Sequence, residues 1–198
     1  MTAILLVNGS YRAGGVTDQV AEIMAEALQE AGADVETVFL RDTPIAFCKN
    51  CRACTMPPGE HPGPCVQEDG MSPLIDKIER CDGFILAAPT NFGSVTAIFK
   101  RFMERLVCYA YWPWAMAAPK YRKKSALKKK AVLVSSCAAP GIFGRLLYNT
   151  RKDLRACAKT IGARPVGTLF PGMVAGKSGY RLTDREKEKA RKLALKLL

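Results

Sequence analysis

The chain has 198 residues, 48% hydrophobic and 24% charged, enough to bury a core without staples and too apolar for a disordered segment. No apolar run reaches the ~18 residues that span a bilayer. The net charge of +12 is uneven: residues 1–118 carry 9 Lys/Arg against 14 Asp/Glu, residues 119–198 carry 21 against 4, and such an asymmetry invites an acidic partner or ligand.

The opening "MTAILLVNGS" has no basic leader and only a strand-length apolar run, so neither a signal peptide nor export is expected, and the location expected is cytoplasmic. "AILLVN" (3–8) predicts a strand buried on both faces. The Gly-rich "GSYRAGGVT" follows, then a helix from Thr17 to about Ala31. In that helix Val20, Ile23, Met24, Ala27 and Leu28 recur at i, i+3, i+4 spacing, and Gly32 ends it. "DVETVFL" (34–40) is a second strand, followed by the cysteine-rich "FCKNCRACTMPPGEHPGPC" (47–65) and a short helix near 72–80. "GFILAAP" (83–89) is a third strand. A helix over "SVTAIFKRFMERLV" carries Val95, Ile98, Phe99, Phe102, Met103 and Leu106 on one face, with Ser94 as its N-cap. After a long loop, 108–129, "KAVLVSS" (130–136) is a fourth strand. A helix around 143–161 is expected to turn Leu146, Leu147, Leu154, Cys157 and Ile161 inward. "PVGTLF" (165–170) is a fifth strand, and "TDRE" is a capping box of Thr183 and Glu186 opening a last helix with Leu193 and Leu197 inward.

Strands alternating with helices predict one α/β domain over 1–198, a doubly wound parallel sheet with a cysteine-rich insertion at 47–66 and a long loop at 108–129. Ligands bind such sheets beyond the carboxyl ends of the strands, so the loops after strands one, three and four should meet. They read "GSYRAGGVT", "PTNFGSVT" and "SCAAPGIFG". In the first, Gly9 allows a sharp turn, Ser10 and Thr17 offer hydroxyls, Arg12 offers a charged fork, and the next helix points free amides at an anion. It is neither a dinucleotide fingerprint nor a Walker loop. The second offers Pro89, Thr90, Asn91, Phe92, Gly93 and Ser94, with backbone suited to the edge of a flat heterocycle and Phe92 as apolar cover. Together the three loops favour a mononucleotide site over ordinary connections.

"GSYRAGGVTDQVAEIMAEAL", "CKNCRAC", "CDGFILAAPTNFGSVTAIFKRFMERL" and "KKKAVLVSS" resemble the flavodoxin-like NAD(P)H-dependent FMN reductase family, in particular its iron–sulfur flavoprotein branch. The resemblance implies a flavodoxin-like five-stranded sheet in the order 2-1-3-4-5 and bound FMN. It places the phosphate on Ser10, Arg12, Val16 and Thr17, beside Gly15, and the isoalloxazine along Pro89 to Ser94. Ser135, Ser136 and Gly141 contribute a flank. The chain departs from the family pattern at Gly15, where Asn is common, and at Asn91, where Tyr is common.

Three cysteines spaced C-x-x-C-x-x-C and a fourth farther on, Cys48, Cys51, Cys54 and Cys65, suit the corners of a [4Fe–4S] cluster, and the resemblance agrees. The ten-residue gap before Cys65 leaves two alternatives open: a Cys/His zinc site using His61, the single histidine, or free thiols. Cys81, Cys108 and Cys157 read as packing residues, and Cys137 as lining the flavin pocket. With such cofactors no side chain need act as acid or base, so no catalytic residue is assigned. The expected activity is electron transfer between a reduced nicotinamide or protein donor and an acceptor, and the resemblance implies a homodimer or homotetramer. Two rivals stand beside it: an NAD(P)H:flavin or quinone reductase without a cluster, and a basic nucleic-acid- or lipid-binding protein on the same scaffold. The aromatic start of 108–129 is read as a subunit contact with a basic rim.

Overall fold

The apolar run Ala3–Asn8 forms strand β1, and its side chains divide between two cores. Ile4 and Leu6 belong to one cluster, Leu5 and Val7 to the other, because successive residues of a strand point to opposite faces. The same division holds along β3 (Gly83–Ala87), where Phe84 and Leu86 oppose Ile85 and Ala87. It holds along β6 (Lys129–Val134), where Ala131 and Leu133 oppose Val132 and Val134. A strand covered on both faces needs apolar residues at every position, so these segments read as unbroken runs. The computed structural model describes residues 1–123, 128–176 and 179–198.

With β2 (Asp34–Phe39) and β7 (Ala163–Leu169), these strands make a five-stranded parallel sheet in the order β2-β1-β3-β6-β7. The numbering differs from the expected 2-1-3-4-5 because the chain contains two further strands, while the five sheet strands keep their expected neighbours. Two short strands, β4 (Ala110–Tyr111) and β5 (Lys120–Tyr121), come between β3 and β6 in the chain and pair with each other outside the sheet. At two residues each they are too short for any alternation to mark them. Helices α1 (Val16–Glu30) and α6 (Asp184–Ala194) cover one face through Val20, Met24, Leu28 and Ala190. Helices α2 (Met71–Arg80), α3 (Ala97–Arg105) and α5 (Thr150–Thr160) cover the other through Leu74, Phe99, Phe102 and Leu154. The capping box of Thr183 and Glu186 forms as expected, and Leu193 and Leu197 are buried.

Two local expectations are corrected. Thr96, not Ser94, caps α3: its hydroxyl accepts from the Phe99 amide, while Ser94 donates to Asp153 at 2.6 Å. The single helix expected at 143–161 is two, α4 (Gly141–Leu147) and α5, broken at Tyr148 and Asn149. The Asn149 amide donates to the Gly93 carbonyl at 2.8 Å, and Ser94 holds Asp153, so α5 takes its direction from the β3 loop. Leu146 and Leu147 therefore belong to a different helix from Leu154, and instead of facing the core they are 65% and 74% exposed.

Candidate functional site

At the carboxyl ends of the strands lies a cavity of 450 Å³ between the β1–α1 loop, the start of the β3–α3 loop, Ser136 and the segment after β7. The β1–α1 loop is braced from below. Buried Asn8 donates to Asp18 at 2.7 Å and accepts from the Ser10 amide at 2.8 Å. Asp18, in the first turn of α1, also accepts from the Gly14 amide and pairs with Arg41, whose guanidinium donates to the Ser10 carbonyl. From the other side Thr96 donates to the Gly9 carbonyl at 2.6 Å, and Phe99 packs so close to Gly9 that a Cβ there would lie 2.7 Å from its ring. No side chain caps α1, so the first-turn amides face the cavity with the positive end of the helix dipole. Such a loop is preorganised for an anion.

Eight of the fourteen residues expected around a flavin line this cavity: Ser10, Arg12, Gly15, Val16, Thr17, Pro89, Asn91 and Ser136. Thr17 and Ser136 share a hydrogen bond at 3.3 Å that joins the first and fourth strand loops. The other six lie elsewhere. Thr90 and Ser135 hydrogen-bond to each other at 3.2 Å, and Thr150 donates to Thr90 at 3.0 Å, so these hydroxyls tie loops together. Ser94 is engaged by Asp153, and Gly141 packs against the Phe170 carbonyl. Phe92 and Gly93 form the tip of a tight turn, both at positive φ (47° and 79°), closed by the Asn91 and Ser94 amides bonding each other's carbonyls. That turn throws Phe92 into solvent, so it gives the cavity no cover. Cys137, expected in the pocket wall, instead contacts the Gly144 backbone and donates to the Ala139 carbonyl. Sequence reasoning missed Tyr11, Ala13, Gly14, Gln19 and Thr96, and the group Val174, Gly179, Tyr180 and Arg181. The last group follows a parallel strand, so the carboxyl-end rule applied to the fifth strand would have found it.

The four loop cysteines line one pocket together with Asn50, Arg52, Gln67, Arg105 and Trp112. The Asn50 and Gln67 amides donate to Cys48 Sγ and Cys65 Sγ at 3.4 and 3.5 Å, and Arg105 Nη2 donates to Cys65 Sγ at 3.4 Å. Burial, then the thiols of Cys65, Cys48 and Cys51, push Cys54 up to about 11, as expected where four sulfurs crowd one another. The pocket measures 30 Å³, and among the described residues no three of His, Cys, Asp and Glu are gathered tightly enough to clasp a single metal ion. His61 is not part of the group: it is 92% exposed and faces Glu79 at 3.8 Å, which removes the Cys/His arrangement.

The aromatic start of the 108–129 stretch packs on this loop. Arg52, at φ 64°, is sandwiched between Trp112 and Trp114, with its guanidinium carbon 4.1 and 4.3 Å from the ring centres. Arg122 donates to the carbonyls of Pro57, Gly59 and Cys108. The tryptophans thus clamp the cysteine loop, and Trp114 keeps 71% of its surface exposed. The basic run of the same stretch lies partly in 124–127, outside the described residues.

Cys81, Cys108 and Cys157 are buried among apolar residues as expected, and burial raises all three, Cys81 to about 11 and Cys108 to about 12. Among the described residues no helix is long and apolar enough to cross a membrane.

A family model described as NADPH-dependent FMN reductase matches residues 2–170. An iron–sulfur flavoprotein of Archaeoglobus fulgidus is 32% identical over 102 residues, 52% of this chain and 47% of that protein. One of Methanosarcina thermophila is 32% identical over 101 residues, 51% and 50% respectively. The chain thus spans about half the length of the curated relatives it matches. An azoreductase structure from Bacillus anthracis superposes with a TM-score of 0.74 over 99% of this chain and all of that one, at 14% identity, a likeness of fold.

Proposed function

Because the chain belongs to the NADPH-dependent FMN reductase family, we propose that it is a flavin-dependent oxidoreductase carrying FMN in the 450 Å³ cavity. It passes electrons between a reduced nicotinamide or protein donor and an acceptor, through a [4Fe–4S] cluster on Cys48, Cys51, Cys54 and Cys65. The observation that carries the flavin site is the braced β1–α1 loop with the uncapped start of α1 opening into a cavity of mononucleotide size. Ser10, Arg12, Val16 and Thr17 hold the phosphate there, and Pro89, Asn91 and Ser136 meet the rest of the nucleotide. Bound FMN supplies hydride and single-electron chemistry, and the protein binds, orients and shields it. No side chain of the cavity is assigned a proton-transfer role.

Support for the cluster comes from four thiols on one pocket, amide donors to two of the sulfurs, the Arg105 guanidinium on one of those two, Cys65, and the names of the relatives matched over about half their length. A second reading, a reductase of flavins or quinones without a cluster, is favoured by one observation: the 30 Å³ pocket is water-sized. An anaerobic visible spectrum before and after dithionite, with iron and acid-labile sulfide assayed on the same sample, separates the two. Flavin bands over a broad absorbance that dithionite bleaches, with about four irons per chain, support the cluster. Flavin bands with no iron leave the second reading. Protein that is colourless and takes up no added FMN overturns both.

The chain is further proposed to work as a homo-oligomer. Helix α4 presents Ile142, Phe143, Leu146 and Leu147 to solvent, an apolar stripe unusual on a monomer's surface.

A further inference from the structure

The family match ends at residue 170, but the wall of the cavity does not. Val174, Gly179, Tyr180 and Arg181 reach the start of α1 from beyond that point. Arg181 is held from both sides. Gln19, one turn into α1, donates through Nε2 to the Tyr180 carbonyl at 3.0 Å and accepts from the Leu182 amide through Oε1 at 3.3 Å. Leu182 is buried in the core formed with α1 and α6. Tyr180 donates through its hydroxyl to Glu186, the carboxylate that closes the α6 capping box. The backbone of Arg181 is therefore fixed to the first turns of two helices, and Arg181 lines the same cavity as the uncapped start of α1.

Arg181 and Arg12 are both exposed at the cavity mouth, and among the described residues neither is in an ion pair. Arg41, Arg105 and Arg191, by contrast, each pair with a carboxylate. A phosphate monoester carries about −1.5 to −2 charges at neutral pH, more than one guanidinium neutralises. Two planar forks beside a helix N-terminus match such a dianion in charge and in hydrogen-bonding geometry.

We infer that Arg181 is a second cationic ligand for the terminal phosphate of the flavin nucleotide, and that with Arg12 it makes the site select FMN over the unphosphorylated flavin. This rests on the reading of the cavity as a flavin site. Selectivity then depends on a loop outside the family-matched span, aimed by Gln19.

The test titrates FMN and riboflavin into the full chain freed of bound flavin, following flavin fluorescence at two salt concentrations, for wild type, Arg181→Ala and Arg181→Lys. Arg181→Ala should weaken FMN binding about tenfold, the effect of one charge-assisted hydrogen bond, and leave riboflavin binding unchanged. It should also flatten the salt dependence, and Arg181→Lys should recover part of the FMN affinity because it keeps the charge but not the fork. FMN affinity unchanged in Arg181→Ala overturns the inference. An equal loss for both flavins also overturns it, since that marks a loop needed only for shape. Wild-type protein that takes up neither flavin overturns the reading of the cavity itself.

Discussion

Asp69 shows how one partly buried carboxylate couples stability to the cysteine loop. It accepts from Arg105 at 2.6 and 3.1 Å and from the amides of Ala46 and Met71, while Arg105 reaches on to Cys65. Burial alone would raise the Asp69 carboxyl, but the Arg105 and amide hydrogen bonds outweigh it and hold it below the usual carboxylate range. Glu79 behaves alike: burial raises it, and hydrogen bonds from Lys123 and Tyr109 more than offset that. Both groups bind a proton more weakly in the folded state than in the unfolded chain. Their stabilisation is therefore complete above the ordinary carboxylate value of about 4 and is lost as pH falls through the depressed folded values. Denaturant melts of wild type should lose stability on the acid side below about pH 4, with a shallower loss in Asp69→Asn. An identical acid limb in the variant would remove Asp69 from this account. Neither carboxylate was legible as special in the sequence, because Asp69 and Arg105 are 36 residues apart and no periodicity links them.

At the scale of elements, the cysteine loop and the stretch after α3 form one packed unit. Gly63 donates its amide to the Cys108 carbonyl at 3.0 Å, and its Cα stands so close to the short 3₁₀ turn Ala53–Thr55 that a Cβ would lie 1.8 Å from the Cys54 carbonyl oxygen. Gly63→Ala must push that turn away, at a cost of about 1–3 kcal/mol in overpacking. Its denaturation midpoint should fall and, on the proposed cluster reading, its iron content should drop, whereas Gly176→Ala, where a Cβ meets nothing nearer than 3.7 Å, should match wild type. A wild-type midpoint for Gly63→Ala would show that the turn yields freely. Spacing alone drew attention to Cys48, Cys51, Cys54 and Cys65 as a group. That Trp112 and Trp114 close over Arg52 between them is a contact across about 60 residues that spacing could not carry. The α4–α5 break was hidden for a similar reason: the leucines continue a plausible helical period, and only the Asn149 bond to Gly93 shows where the chain turns.

For the whole molecule, the exposed stripe of α4 lies next to a basic region in which Arg145 and Arg155 sit close enough to lower Arg151, after burial, below its ordinary value. If the stripe joins copies of the chain, apolar contact and arginine repulsion oppose each other, so salt should favour assembly by screening the arginines. Sedimentation should show a mass above that of one chain, rising with salt, and Leu146→Asp with Leu147→Asp should shift it towards the monomer. A monomer at every concentration would count against the homo-oligomer. The sequence by itself determined the alternation of strands and helices, the two-faced burial of the sheet, the capping box at Thr183 and the loop positions where a ligand could sit. These follow from neighbouring residues, through side-chain period and local hydrogen bonds. Only the tertiary structure decided that Phe92 leaves the cavity, that Asp18 and Arg41 brace its floor, and that Arg181 joins Arg12 at its mouth. Those arrangements depend on which distant loops the packed sheet brings together, and no local pattern records that.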